Sequence, residues 1–192
     1  FIAALIFIPT TIFDMVWGVR FIQDGYGLDF GEAVLRSSGV PFGWIIGCPL
    51  LGYISDKIGR RKPVIIGGSV VLLLGLIWAL FGSAGVFPPY SIVLLIGIAS
   101  GAGMIPYTVI KEANPPQFSG TATGVANFIN FTFSAMMGQV FGWLLLKISD
   151  GSEHLLMKDY RMTFGPLLFG VALAIFMTFF LKETGHAVIK KH

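Results

Sequence analysis

The 192 residues are short of charge, with Asp, Glu, Lys and Arg together making 12%, where ordinary soluble domains carry about 25%. A mean hydropathy of +0.80 and 55% hydrophobic residues exclude a domain bathed in water on all sides. A single cysteine, Cys48, lies in an apolar run and excludes an intramolecular disulfide framework. The histidines, His154, His186 and His192, stand far apart, so no pair has metal-ligand spacing. No HExxH, no GxSxG and no GKS or GKT occurs. This argues against an enzyme, against ATP-driven pumping within this chain, and for no cofactor and no metal. No initiator Met, basic leader or small-residue cleavage site precedes the apolar run at Phe1. A signal peptide is therefore not expected, and the chain is read as part of a longer protein.

What is present is a series of apolar runs, each long enough to be a membrane span of about 20 residues. Six are expected, over 1–23, 36–54, 63–82, 89–110, 120–146 and 161–181, with a tail at 182–192. The 25 glycines, many inside these runs, suit helices that approach closely in a solvent offering no hydrophobic force between them. Outer-membrane strands would be shorter and alternate strictly, so the fold class is all-α.

Orientation follows from Lys and Arg, which gather on cytoplasmic loops. With spans alternating, one side receives Lys57, Arg60, Arg61, Lys62, Lys111, Lys182, Lys190 and Lys191. The other holds Arg36, Lys147, Lys158 and Arg161 beside Asp24, Asp29, Glu32, Asp150, Glu153 and Asp159. The first side is read as cytoplasm, with both ends of the chain facing it. The net charge of +3 and pI near 9.1 reflect this asymmetry, and no nucleic-acid surface is expected.

Between the second and third runs lies GYISDKIGRRK, Gly52 to Lys62, which puts five charges into one short turn. A charged side chain at the bilayer centre costs about 2.5–3.5 kcal/mol on insertion scales, so this turn lies outside the hydrocarbon. Its order resembles the signature of the major facilitator superfamily, roughly GxxxDRxGRRK, departing only where Lys57 replaces the usual Arg and loses the bidentate fork. Gly52 would let two helices approach, Asp56 would accept hydrogen bonds or pair with a base, and Gly59 would permit a tight turn. A second resemblance lies at KEANPPQFSG. In sugar-carrier branches a glutamate precedes an Arg-Gly pair by seven and eight residues, and here those places are Ser119 and Gly120. The missing Arg leaves Glu112 to pair with Arg60 or Arg61, in what resembles the family's conformational latch. The other reading has Glu112 capping a helix end in water.

Family members usually have twelve helices in two six-helix bundles, each made of two inverted three-helix repeats. The resemblance covers essentially the whole chain and implies one bundle, read as the C-terminal half. Its partners would be the missing N-terminal half, the lipid bilayer, a small-molecule solute and protons.

The first and fourth helices of each bundle usually line the cavity. In the first run, Asp14 is a functional-site candidate because an intramembrane carboxylate is expensive; the other reading is a structural pair with a base in the missing half. Arg20 lies about 120° round a helix from it, so the two do not share a stripe. Arg20 either serves the site or snorkels to the outer surface, and Trp17 either stacks on a substrate ring or anchors at the interface. In the fourth run, Pro106 is expected to kink the helix near Tyr107. In the fifth, Thr123, Asn127, Asn130 and Ser134 share one helical face, either hydrogen-bonding substrate from the cavity wall or gluing helices together. In the second, Pro41, Pro49, Gly43, Gly47 and Gly52 imply a bent or closely packed helix.

The resulting reading is the C-terminal half of a secondary transporter in a bacterial inner membrane. It would move a small polar or charged organic solute by alternating access, coupled to protons. Asp14, Trp17, Arg20, Tyr107, Asn127 and Asn130 are the substrate and coupling candidates. Gly52, Asp56, Gly59, Arg60, Arg61 and Glu112 are the latch. The alternatives are efflux of amphiphilic drugs and a non-transporting receptor or scaffold with the same fold.

Overall fold

In the computed structural model, which describes residues 1–82, 90–152 and 155–186, every regular element among them is a helix. Pro9 has no N–H to give to the turn before it, and the first span changes pitch there. Helix α1 (Ile2–Ile8) passes into a π-helix at Pro9–Val16, a wider winding often found at functional sites. Thr10 Oγ1 donates to the Phe7 carbonyl at 3.1 Å. Trp17 then opens to φ −112° and ψ −9°, and α2 (Gly18–Tyr26) leaves at 62° to the line of Ile2–Val16. The run read as one span over 1–23 is thus a broken span that reaches Tyr26, with Asp14 and Trp17 at the break.

Asp29 caps α3 (Phe30–Ser37), accepting from Gly31 N–H at 3.0 Å and Glu32 N–H at 3.2 Å. Helix α4 (Gly39–Ile58) continues it, so the second span starts before the expected residue 36. Gly59, at φ 69°, ends α4 in the left-handed region that favours glycine, and α5 (Lys62–Phe81) returns. The fourth span is α6 (Tyr90–Ser100), a 3-10 turn at Gly101–Met104 and α7 (Ile105–Ala113). Pro106 falls in the first turn of α7, where its missing N–H is harmless. The irregularity therefore sits ahead of Pro106, where glycines permit it, and not as a kink at Tyr107. Helix α8 (Pro116–Ile148) runs 33 residues unbroken, and α9 (Met157–Phe164) and α10 (Pro166–Phe180) form the sixth span. By length and composition five helices can cross a membrane, or six with the bent pair counted as one. Pro89, Glu153, His154, Lys190, Lys191 and His192 lie outside the described residues.

Close approach of α4 and α6 answers the question raised by the second run's glycines. A Cβ on Gly43 would stand 2.5 Å from the Leu94 carbonyl oxygen, and one on Gly97 would stand 2.3 Å from that of Val40. Trp44 Nε1 donates to Ser100 Oγ across the same interface at 2.5 Å. Gly52 is different, because nothing in the described chain lies within 4 Å of a Cβ built there. Its expected role of admitting a neighbouring helix is not served among the described residues. At one end of the core, Phe13, Phe21, Phe141, Tyr160 and Phe164 pack ring on ring and join the first, fifth and sixth spans.

The two ends of the bundle differ. At one end the turn after α4, the end of α7 and residues 183–185 meet, and Phe1 shares a cleft with Ile110 and Leu181. At the other, Tyr160 Oη donates to Asp24 Oδ2 at 2.7 Å, and Tyr26 Oη donates to the Ala79 carbonyl at 3.2 Å. Arg161 donates to the carbonyls of Leu80 at 2.6 Å and Gly82 at 3.0 Å, closing the C-terminus of α5.

Candidate functional site

The signature turn is built around Arg61, which is 5% exposed. Arg61 sits where Gly59 has reversed the chain, and its side chain folds back between α4 and α7. Nε and Nη2 address the two oxygens of Glu112, with Nε to Oε2 at 3.2 Å. Nη1 donates to Asp56 Oδ1 at 2.5 Å and to Ser55 Oγ at 3.0 Å. Such two-pronged pairing is the strong form of the ion pair. The hydrogen bond to Glu112 holds the guanidinium above its ordinary pKa, against an opposing push from burial, so it stays charged.

The tail completes this hub. Glu183 accepts from the backbone N–H of Arg61 at 2.6 Å and of Lys62 at 3.2 Å, capping α5 from across the bundle. Thr184 Oγ1 donates to Glu112 Oε2 at 2.6 Å. Of the expected latch residues, Asp56, Arg61 and Glu112 come together and Gly59 shapes the turn. Arg60 is exposed and, among the described residues, makes no ion pair. Glu112 does not cap a helix end in water. Ser55, Glu183 and Thr184 were missed. The available signal for Glu183 was an acid directly after the sixth run, on the side crowded with bases.

A second constellation lies deeper. A cleft of about 310 Å³ is lined by Phe7 and Thr11 of the first span, Trp44 and Cys48 of α4, Met104 and Tyr107, and Asn127, Asn130, Phe131 and Ser134 of α8. Four different spans contribute, and the polar groups are hydroxyls, amides and the half-buried Cys48 thiol. The expected stripe on α8 is therefore mostly here. Thr123 is elsewhere, with its Oγ1 turned back on the Ser119 carbonyl at 2.7 Å. Asn130 is 9% exposed, and its Oδ1 is buried without a partner. It also borders an apolar cleft of about 520 Å³ running toward Phe1, Ile110 and Leu181.

Asp14, Trp17 and Arg20 do not line the 310 Å³ cleft. Asp14 lies in the last turn of the π-helix and faces Ser37, whose Oγ donates to Asp14 Oδ1 at 3.4 Å. Asp14 Oδ2 is buried without a partner, beside a cavity of about 30 Å³ walled by Phe13, Val40, Leu76 and Ile96. Gly18 makes room for this arrangement, since a Cβ there would stand 2.9 Å from Ser37 Oγ. Trp17 packs toward Phe164 and α8, with Nε1 buried and unpaired. Arg20 is exposed and pairs with Asp24 at 3.3 Å, at the end away from the hub.

Comparison with known proteins places this geometry. A family model described as Major Facilitator Superfamily matches residues 1–139. The chain is 28% identical over 108 residues to the arabinose-proton symporter of Bacillus subtilis (strain 168), covering 56% of this chain and 23% of that protein. It is 27% identical over 140 residues to membrane transporter D1 of Leishmania donovani, covering 67% and 24%. The fold is similar to the xylose transporter XylE from E. coli in its partially occluded inward-open conformation, with TM-score 0.70, 20% identity and coverage of 95% of this chain. The inward-open conformation gives TM-score 0.68 at 17% identity. The chain spans about half of each solved transporter, 48% and 47%.

Proposed function

The chain belongs to the major facilitator superfamily, and from that premise we propose that it forms the C-terminal six-helix half of a proton-coupled secondary transporter for a small, polar, uncharged solute. The observation that carries this is the 310 Å³ cleft, where Thr11, Asn127, Asn130, Ser134 and Tyr107 offer donors and acceptors around aromatic walls. Amides and hydroxyls match hydroxyl-bearing solutes in both directions of hydrogen bonding. Aromatic faces such as Trp44 suit the apolar side of a ring. With no charged residue in the lining, the earlier reading of a polar or charged solute narrows to a neutral one. The likeness to an arabinose-proton symporter supports a sugar-like compound.

In this reading the half supplies one wall of the site, and the partner half supplies the other. Alternating access comes from rocking of the two halves about the solute. The Arg61 hub joins the turn between the second and third spans to the fourth span and the tail. It thereby ties one three-helix repeat to the other and lets the half move as a unit. Asp14 is the coupling candidate, because it combines a carboxyl, a break in the helix and an unpaired buried oxygen. In this reading the hub end, with its basic residues, faces the cytoplasm, and the membrane is a bacterial inner membrane. Efflux of amphiphilic compounds is the second reading, favoured by the apolar lining of the 520 Å³ cleft.

The test is solute-driven proton movement, followed with a pH-sensitive dye in proteoliposomes of the full-length transporter. Neutral sugars and polyols are expected to give the signal. Signals from organic anions or lipophilic cations alone would overturn the substrate class.

A further inference from the structure

Helices α4 and α5 both pack on α6 and spread apart from each other below the signature turn. Between them lies a groove of about 340 Å³ whose walls are entirely apolar, with Ile54 and Ile58 on one side, Val64 and Val71 on the other, and Leu95 in its floor. It is open, because Ile58 is 46%, Val71 39% and Leu95 45% exposed. A Cβ built on Gly67, midway along, would meet nothing within 4 Å. From Pro63 to Val71 the groove follows α5 for about 12 Å, at 1.5 Å per residue. One leaflet of hydrocarbon is about 15 Å deep, so the groove covers most of it, starting from the membrane surface.

Its mouth carries charge. Ile58 and Pro63 flank the turn at 59–62, and both Lys57 and Arg60 are exposed there. The neighbouring acid, Asp56, is already engaged by Arg61. Lys62 is directed elsewhere, donating through Nζ to the Phe179 carbonyl at 2.9 Å. Among the described residues, neither Lys57 nor Arg60 makes an ion pair, and both stand where an acyl chain lying in the groove would bring its headgroup.

We propose that this groove is a binding site for one anionic phospholipid, with an acyl chain along Gly67 and its phosphate at Lys57 and Arg60. The inference needs only that the chain is a multi-pass membrane protein and is independent of the solute carried. It also accounts for Arg60, the signature base that the Arg61 hub leaves out.

The experiment is native mass spectrometry of the full-length transporter released from nanodiscs holding equal amounts of phosphatidylglycerol and phosphatidylcholine. The wild type is expected to retain phosphatidylglycerol preferentially, on the order of fivefold for each cation engaged. Lys57→Ala combined with Arg60→Ala should abolish the preference while leaving a bound lipid. Gly67→Leu, which improves helix propensity and whose Cβ would meet nothing within 4 Å, should remove the bound lipid whatever its headgroup. Free glycerol phosphate should not displace it. Equal retention of the two lipids by the wild type would overturn the proposal, as would adducts unchanged in Gly67→Leu. So would a Gly67→Cys thiol sealed from membrane-soluble maleimide, which would show the groove covered by the other half of the protein.

Discussion

Arg61 and Glu112 face each other fork to fork, with Nε to Oε2 at 3.2 Å, although 51 residues separate them. The contact joins the turn after the second span to the end of the fourth. Arg61 is nearly enclosed at 5% exposure, so its charge depends on the acids around it for what water would otherwise supply.

Arg61 is enclosed, but the side chains of Glu112 and Asp56 are 29% and 66% exposed, so removing one member costs less than breaking a fully buried pair. Arg61→Ala and Glu112→Ala should each lower the thermal midpoint of the detergent-solubilised transporter, Arg61→Ala the more, because Glu112→Ala leaves the guanidinium its bonds to Asp56 and Ser55. Exchanging the charges, Arg61→Glu with Glu112→Arg, should recover part of the loss. A double exchange no better than either single change would show that the pair does not act as a latch. Arg61→Lys should rescue poorly, since an ammonium cannot span both oxygens.

The pH dependence of this contribution follows from its sign. The Arg61 pKa, already far on the alkaline side, is raised further in the folded protein by its hydrogen bond to Glu112, and a base with a raised pKa contributes stability fully below its unfolded value and loses it only above. The gap in thermal midpoint between wild type and Arg61→Ala should therefore stay flat from about pH 7 to pH 10, well below the unfolded arginine value. A gap that closes within that range would mean that another group carries the effect.

Glu183 gives a separate prediction. It caps the start of α5 by accepting from the Arg61 and Lys62 N–H groups, and losing a cap costs about 0.5–2 kcal/mol. Glu183→Ala should speed hydrogen exchange at the first turn of α5 and leave α8 unchanged. Glu183→Gln, which keeps an acceptor, should fall between.

These residues show what a single sequence reveals. Six apolar runs are legible because bilayer thickness fixes their length, and the 59–62 turn because charge cannot enter hydrocarbon. The break at Trp17 was not legible. Pro9 hinted at it, but a π-helix depends on how neighbouring helices seat the turn, and the periodicity of Phe1 to Gln23 gives no sign of it. Glu183 was missed because its partners lie 121 and 122 positions away. The choice between Arg60 and Arg61 turned on one residue of rotation past Gly59. On α8 the spacing was sufficient, because a straight helix keeps Asn127, Asn130 and Ser134 on one side.

Glycines that look alike in sequence should respond oppositely. Gly97→Ala would drive a Cβ to 2.3 Å from the Val40 carbonyl oxygen, forcing α4 and α6 apart at a cost of about 1–3 kcal/mol. Gly52→Ala meets nothing within 4 Å and should be neutral or gain up to about 1 kcal/mol of helix propensity. Thermal unfolding of the two variants separates the cases. Loss of stability in Gly52→Ala would instead reveal the partner half packed against that face.

Asp14 supplies the sharpest functional test. Its Oδ1 accepts from Ser37, while Oδ2 is buried and unpaired beside the 30 Å³ cavity. Asparagine is nearly the same size and keeps an oxygen for Ser37, so Asp14→Asn should fold and insert normally. It cannot take up and release a proton. If Asp14 carries the coupling proton, the variant should lose uptake against a gradient while still exchanging labelled for unlabelled solute at equal concentrations, because exchange requires alternating access but no net proton transfer. Ser37→Ala, which removes the donor but leaves the carboxyl, should shift the pH dependence of uptake without abolishing concentration. Unchanged, pH-dependent accumulation in Asp14→Asn would remove the residue from coupling. It would leave Asp14 a structural role at the break of the first span, where it sits against Ser37 of α3 over Gly18.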